Sequence, residues 1–269
     1  MAAGFSSFVG VDFSGSATAG KTIWIATGTP RGAGLAIDGL LPARDIPGSG
    51  PGRDHALPTL RRHIAAQTGA LIGLDFPFGL PASMVEAPDW RSFAIDFPRR
   101  YPDAERFRAA CRERTGGREL KRRTDYEART PFCAYNLRVY RQTWWGIAGI
   151  LAPLLDADAV SVPPMVPMVD DRPALAEICP ASTLKRLGCY PSYKGSGVGA
   201  VAARRSILSC LEAGGLEAPA PFARIALADR DGDALDALVA AFTSWQVSLR
   251  PAELLPRDEI DRIEARVLF

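Results

Sequence analysis

Two short apolar runs that each end in an acid decide the fold of this chain: residues 8–12, Phe-Val-Gly-Val-Asp, and residues 70–75, Ala-Leu-Ile-Gly-Leu-Asp. A continuous apolar run of this length is typical of a strand buried on both faces of a sheet. The runs deliver Asp12 and Asp75 at their carboxyl ends, where open α/β sheets bind their ligands. We therefore predict an α/β fold with a candidate site at the ends of these two strands.

The rest of the chain alternates between strand and helix patterns, which favours one domain spanning residues 1–269. Further strands, the first of them a hairpin partner of residues 8–12, are predicted at residues 21–26, 34–41 and 174–179. Helices are predicted at residues 54–67, 198–213 and 231–246, with a short one after Pro180. Residues 214–221 are rich in Gly and Pro and predict a linker. Residues 85–170 are dominated by arginine and aromatic side chains and predict a helical insertion.

Composition excludes several functional classes. The chain is 47% hydrophobic and 23% charged, as is usual for globular proteins. It contains no apolar stretch of about 18 residues and no signal-peptide pattern, so we expect no membrane partner and a cytoplasmic location. Five cysteines without a C-x-x-C motif, and only two histidines, argue against a disulfide framework or a zinc site.

The last predicted helix carries two acids on one side. Its apolar face is formed at i, i+3, i+4 and i+7 by Leu235, Leu238, Val239 and Phe242. Asp233 and Asp236 are three residues apart and are therefore neighbours on the helix surface, close to the border of that face. Alanines at 237, 240 and 241 leave room for the sheet to approach. The alternatives are that Asp231 or Asp233 caps the helix and that Asp236 is simply solvated.

The acids at the strand ends also have two interpretations. Asp12 and Asp75 follow apolar runs, where a lone carboxylate is rarely buried without a partner, but a strand-end aspartate can also cap its own loop. Glu177 lies between apolar residues of the strand predicted at 174–179 and is expected to face the same place, unless it occupies an exposed edge.

Taken together, these acids indicate a site for a hard metal ion. Mg²⁺ and Mn²⁺ prefer oxygen ligands, and a carboxylate set without histidine or cysteine suits them. We predict Asp12, Asp75 and Asp236 as metal ligands, with Asp233 and Glu177 as supporting catalytic residues. Such sites activate water for the hydrolysis of phosphodiesters.

Several segments, in this order along the chain, resemble the family known as domain of unknown function 429, a family of predicted RNase H-like nucleases. The matching segments are residues 9–15, 73–81, 177–184, 193–195 and 233–237. The last helix is also similar to the D-x-x-D-A helix of RuvC-type resolvases. The resemblance covers residues 85–170 least.

The resemblance implies an RNase H-like sheet with strand order 3-2-1-4-5, flanked by helices. It places Asp12 on the central first strand, Asp75 on the fourth strand, and Asp233 and Asp236 on the last helix. Glu177 matches an acidic strand position before a proline. The loop at residues 76–81, which follows Asp75, differs from the loop that carries the corresponding acid in ordinary nucleases of this fold. The fold also hosts phosphate-transferring kinases.

The predicted insertion is strongly basic although the whole chain has a net charge of only +2. Residues 99–141 contain 13 Lys or Arg against six Asp or Glu, with aromatic residues between them. This pattern suits phosphate contact and base stacking, and we predict that Arg122 and Arg123 bind a nucleic-acid substrate. The alternative is a subdomain with solvated or paired arginines and an aromatic core. Lys194 is predicted to meet a phosphate, or else belongs to a flexible glycine loop.

The function we expect from the sequence is that of a hydrolase, a metal-dependent nuclease that cleaves DNA or RNA with Mg²⁺ or Mn²⁺. One alternative is a module that binds a nucleotide or nucleic acid without turnover. Another is a small-molecule phosphotransferase.

Overall fold

The structure is a computed structural model that describes residues 4–269. Its strands are β1 (Ser7–Asp12), β2 (Trp24–Arg31), β3 (Gly34–Pro42), β4 (Ala70–Asp75), β5 (Ala174–Ile178), β6 (Leu216–Glu217) and β7 (Val267–Leu268). Its helices are α1 (Ala19–Thr22), α2 (Arg53–Ala65), α3 (Trp90–Arg100), α4 (Ala104–Arg114), α5 (Arg123–Glu127), α6 (Tyr140–Gly146), α7 (Ala152–Asp156), α8 (Pro180–Arg186), α9 (Val198–Ala213), α10 (Ala220–Ala228), α11 (Asp233–Ser248) and α12 (Glu259–Glu264).

The strands form one mixed sheet in the order β6-β3-β2-β1-β4-β5-β7. The pairs β1/β2 and β2/β3 are antiparallel, and β1/β4 and β4/β5 are parallel. The core order 3-2-1-4-5 implied by the family resemblance is therefore present. Short parallel strands extend it at each side, β6 beside β3 and β7 beside β5.

Two predicted segments differ from the structure, and two elements were not predicted. The strand expected from residue 21 begins at Trp24, because residues 19–22 form α1. There Gly20 approaches the chain so closely that an added Cβ would lie 2.0 Å from the carbonyl oxygen of Gly50. The predicted linker at residues 214–221 contains β6 and the start of α10, whose prolines fall in the first turn, where no helical N–H is needed. The elements α12 and β7 were not predicted.

Helix α11 lies directly on the centre of the sheet. A Cβ on Gly10 of β1 would lie 2.1 Å from the carbonyl oxygen of Ala237, and one on Gly73 of β4 would lie 3.1 Å from that of Ala240. Only glycine on the strands permits this contact, and the small alanines of the helix complete it. The predicted close approach of helix and sheet is confirmed.

The other face of the sheet is covered by α2 and by the helices of residues 90–156. Buried aromatic residues of this segment, including Trp90, Phe97 and Phe107, belong to the same hydrophobic core as Val9 and Leu74 of the sheet. In residues 4–269, no helix combines the length and apolar character that crossing a membrane requires.

Candidate active site

The two strand-end aspartates are neighbours on the face of the sheet that α11 covers. Asp12 and Asp75 pair in register across the parallel strands β1 and β4. Side chains alternate along a strand, so Asp12 points to the same face as Gly10, and Asp75 to the same face as Gly73. Both carboxylates therefore emerge toward the start of α11.

The first turn of α11 brings two more acids to this point. Asp236 is 3% exposed, and Asp233 is more open, with 19% of its side chain exposed. Asp233 does not cap the helix. The N-cap is Gly232 in a left-handed conformation, and Asp229 Oδ2 instead accepts a hydrogen bond of 2.9 Å from the N–H of Ala234. The acids of α11 are thus free to face the strand ends.

A lysine and a tyrosine from the loop after α8 engage these acids. Lys194 Nζ lies 2.9 Å from Asp236 Oδ2 and 3.8 Å from Asp233 Oδ1. The Tyr193 hydroxyl donates a hydrogen bond of 2.6 Å to Asp236 Oδ1. Both oxygens of Asp236 are therefore occupied by groups of the protein itself.

The backbone of this loop is held by a buried arginine. Arg204 of α9 is 1% exposed, and its Nη1 donates to the carbonyl oxygens of Tyr193 at 2.6 Å and Gly195 at 2.9 Å. The Gly195 N–H in turn donates to the carbonyl oxygen of Arg230 at 2.7 Å. The loop is anchored on both sides of Lys194, whose own side chain is 54% exposed and can move into solvent.

Burial and mutual repulsion disturb the titration of every acid in the cluster. Burial, together with repulsion from Asp236, raises the pKa of Asp12 well above its ordinary value and that of Asp75 to about 8. Burial raises the pKa of Asp233 to about 7 and also raises that of Asp236, although Lys194 opposes both increases. Burial lowers the pKa of Lys194, but attraction to Asp236 outweighs it, and the net direction is upward.

Neither the Asp12 nor the Asp75 carboxylate accepts a hydrogen bond from the residues that the structure describes, and Lys194 approaches Asp233 Oδ1 only to 3.8 Å. No donor within residues 4–269 lies within hydrogen-bonding distance of either carboxylate, and repulsion from the other acids contributes to both raised pKa values. Buried or half-buried carboxylates in this condition favour a cation or a proton between them.

The cluster suits a hard cation in its chemistry but is not arranged as a finished metal site. Across the described residues, no group of three or more His, Cys, Asp or Glu side chains is positioned to hold a metal ion. In addition, Tyr193 and Lys194 contact the two oxygens of Asp236, and a metal ion would have to replace those contacts. The donor set, which is carboxylate oxygen alone, is the one that Mg²⁺ and Mn²⁺ prefer.

Glu177 does not join the other acids. It pairs in register with Leu74, one residue before Asp75, and therefore points to the opposite face of the sheet. There it meets Arg122, whose Nη1 lies 2.7 Å from Glu177 Oε2, while the N–H of Phe78 donates to the same oxygen at 3.0 Å. The expectation that Glu177 faces the same place as the aspartates was wrong, because the strand register turns it to the other face of the sheet.

Arg122 is a buried partner of two ion pairs. Its side chain is 1% exposed, and it binds Asp125 as well as Glu177, whose side chains are each 3% exposed. Burial would lower its pKa, but the two carboxylates raise it well above the ordinary value. Arg123 also pairs internally, with Asp258 and Asp261 at 2.6 Å each. The expectation that both arginines contact nucleic acid does not agree with these contacts.

Other arginines of the basic segment behave in the same way. Ion pairs with carboxylates engage seven of its 13 basic residues, namely Arg99, Arg100, Arg106, Arg114, Arg122, Arg123 and Arg141. Tyr135 and Tyr140 are buried. The structure therefore has much of the alternative arrangement, paired arginines around an aromatic core, and leaves Arg138 as an exposed cation beside the site.

A cavity of about 420 Å³ opens beside the acid cluster. The cluster contributes Asp75, Asp236, Lys194 and Tyr193 to its wall, and the Arg122–Glu177 pair lies at another part of it. The remaining wall includes Phe132, Arg138, Gln142, Pro180 and Tyr190. The Gln142 side chain donates a hydrogen bond to the backbone carbonyl of Asp75 and so ties α6 to the end of β4.

Tyr193 and Arg204 were not identified from the sequence, although one of them had a signal. Arg204 recurs with Ile207, Leu208 and Leu211 at i, i+3, i+4 and i+7, so a charge falls on the apolar face of α9. A cation in that position predicts a buried partner. Tyr193 lies in the segment 193–195 that carries part of the family resemblance, but nothing in the residue pattern indicated that its hydroxyl would bind Asp236.

The fold and the site together define the class of this protein. It is an α/β protein whose mixed sheet has the core order 3-2-1-4-5. Its carboxylate cluster lies between the ends of β1 and β4 and the start of α11. Residues 10–260 match the family described as Protein of unknown function (DUF429), and the chain belongs to this family. Comparisons with curated proteins and with solved structures return no match.

Proposed function

We propose that this protein is a metal-dependent nuclease of RNase H-like type that hydrolyses phosphodiester bonds of DNA or RNA. The observation that carries the proposal is the convergence of Asp12, Asp75 and Asp236, from two strands and a helix, with Lys194 as their one close counter-charge in the described chain. Keeping such a cluster without a cation is costly, and structural needs alone do not explain it.

In this proposal Asp12, Asp75 and Asp236 hold Mg²⁺ or Mn²⁺, and Asp233 supports them at the open side. The ion supplies charge neutralisation and activation of water for attack on phosphorus. Tyr193 fixes the rotamer of Asp236 through its hydrogen bond. Lys194, whose side chain is 54% exposed, would give up its contact with Asp236 if that carboxylate held an ion, and could then bind a phosphate oxygen of the substrate.

The Arg122–Glu177 pair has a positioning role in the same scheme. Glu177 accepts the N–H of Phe78 and so fixes the proline-rich loop that follows Asp75. The substrate is nucleic acid, contacted by Arg138 and Lys194 at the cavity. A cytoplasmic location accompanies this proposal, since nucleic acid and Mg²⁺ both occur there.

The test is cleavage of end-labelled DNA and RNA oligonucleotides in Mg²⁺ or Mn²⁺, for the wild type and for Asp12→Asn, Asp75→Asn and Asp236→Asn. Each variant is expected to lose at least about 100-fold in rate, because removing charge stabilisation from a reacting centre costs about that much. Asp156→Asn, at an exposed acid on α7, is the matched control and should retain full activity.

Circular dichroism of each variant shows whether lost activity reflects lost folding. Unchanged cleavage by folded Asp12→Asn would overturn the proposal. Binding of oligonucleotides by the wild type without any cleavage would replace the nuclease with a non-catalytic binding module. Cleavage absent while ATP is hydrolysed in response to a metabolite would replace it with a phosphotransferase.

A further inference from the structure

The acids of the cluster are recessed. Asp12 is 7% exposed and Asp236 is 3% exposed, and Asp75 and Asp236 line the inner wall of the cavity. A phosphodiester that contacts Asp75 and Asp236 from this side occupies the cavity.

The cavity has the size of a small-molecule site. Its volume of about 420 Å³ falls in the range of about 300–1,000 Å³ that pockets for single small ligands occupy. A duplex carries its phosphates on the outside of a wide, stiff cylinder, whose backbone cannot be separated from its paired bases. The volume of the cavity suits one unpaired nucleotide unit, whereas a paired unit brings the second strand of the duplex with it.

The walls of the cavity offer apolar surfaces on two sides. Phe132, from the basic segment, is half-buried, and Tyr190, from the loop after α8, is 45% exposed. Aromatic rings at the wall of a cavity can stack against the bases of a nucleic acid, and every base has a flat face for this contact. The Arg138 guanidinium lies 5.5 Å from the ring centre of Phe132, and the Lys185 ammonium lies 5.2 Å from that of Tyr190. Arg138 lines the cavity and can meet the backbone charge of a bound strand, whereas the Lys185 ammonium lies outside the lining and donates to the carbonyl oxygen of Arg129 at 2.7 Å.

We propose that the cavity takes a single unpaired nucleotide unit of a DNA or RNA strand, with its base against Phe132 or Tyr190 and its phosphate toward Asp75 and Lys194. Paired duplex is excluded from the site. The inference rests on the proposed function for its chemistry and adds the substrate class, unpaired single strand.

Binding is measured separately from cleavage so that the two proposals fail in different ways. The catalytically impaired Asp75→Asn variant is titrated against a fluorescent 12-nucleotide strand, alone and annealed to its complement, in Mg²⁺ at one fixed salt concentration. Fluorescence anisotropy is expected to show at least about tenfold tighter binding of the single strand. In the same background, Phe132→Ala and Tyr190→Ala should each weaken that binding about tenfold, the loss that stacking of one base represents.

Tyr126→Ala is the matched control, because Tyr126 is 68% exposed and does not line the cavity. It should leave the affinity unchanged. Duplex binding equal to or tighter than single-strand binding overturns the inference, and so does the absence of binding by either form. An equal loss in the Tyr126 variant also overturns it, since stacking would then not be local to the cavity. Selective single-strand binding by a wild type that cleaves nothing leaves the inference standing and removes the nuclease.

Discussion

Replacing Arg122 by glutamine distinguishes most clearly between a structural and a substrate-binding arginine. The guanidinium is 1% exposed and binds two carboxylates whose side chains are each 3% exposed. Arg122→Gln leaves both Asp125 and Glu177 buried without their cation. Breaking a buried pair by removing one partner costs about 3–5 kcal/mol, out of a total of about 5–15 kcal/mol for a whole domain.

Urea denaturation followed by circular dichroism measures this loss as a lower midpoint at unchanged slope. Two further variants keep the prediction testable if the single variant fails to fold. Arg122→Lys keeps the charge but loses the fork that reaches both acids, and should lose less stability. Adding Glu177→Gln to Arg122→Gln should recover part of the loss, because it removes one uncompensated charge.

Arg99→Gln is the surface control, since Arg99 is 80% exposed in its pair with Asp96, and it should change stability by less than about 0.5 kcal/mol. The reasoning is refuted if Arg122→Gln folds with less than about 1 kcal/mol of loss while its affinity for nucleic acid falls. Arg122 would then be a phosphate ligand, as the sequence analysis predicted.

Three further predictions concern the acid cluster and the helix above it. Because burial raises the pKa of Asp75 to about 8, its proton is held more tightly in the folded chain than in the unfolded one, so in EDTA the Tm should fall as the pH rises from about 4, the ordinary pKa of an aspartate, to about 8 and should level off above that. Asp75→Asn should flatten that slope, and an unchanged slope would show that other groups cause it. The Lys194→Gln variant should bind Mn²⁺ roughly fivefold to tenfold more tightly than the wild type, as measured by titration calorimetry. The reason is that a partly exposed ion pair worth about 1 kcal/mol no longer competes with the metal for Asp236. Weaker binding would mean that the lysine helps to hold the ion. Gly10→Ala should lower the Tm strongly or prevent folding, because the added Cβ would lie 2.1 Å from the carbonyl oxygen of Ala237. Gly39→Ala is the control and should leave the Tm nearly unchanged, because the nearest atom to its added Cβ is 4.0 Å away. Equal Tm values for the two variants would contradict the packing of α11 on the sheet.

The arrangement of the site links its stability to its proposed chemistry. Lys194 and Tyr193 neutralise and orient Asp236 but contribute no hydrogen bond to Asp12 or Asp75. The cluster is therefore only partly compensated by the protein's own groups. A divalent ion that binds the folded state alone would stabilise it by mass action, so a rise in Tm with Mn²⁺ that is lost in Asp12→Asn is the simplest sign of the proposed site.

The sequence by itself determined the main elements and three of the converging acids. Runs of apolar residues ending in Asp12 and Asp75 predicted buried strands and the edge at which their carboxylates meet, because strand pattern and strand direction are local properties. The helical period placed Asp236 at the border of the apolar face of α11, and the small residues at 237, 240 and 241 indicated the close packing on the sheet. Each of these inferences needed only the residues of one element.

Tertiary structure alone decided the partners of the charges. Glu177 sits on a buried strand like Asp75, yet a difference of one residue in register turns it to the other face, where Arg122 binds it. The pairing of Arg122 and Arg123, and the placement of Lys194 against Asp236, depend on residues distant in the chain. Composition records how many charges a segment carries, but a charge becomes available to a ligand only when folding leaves it without an internal partner.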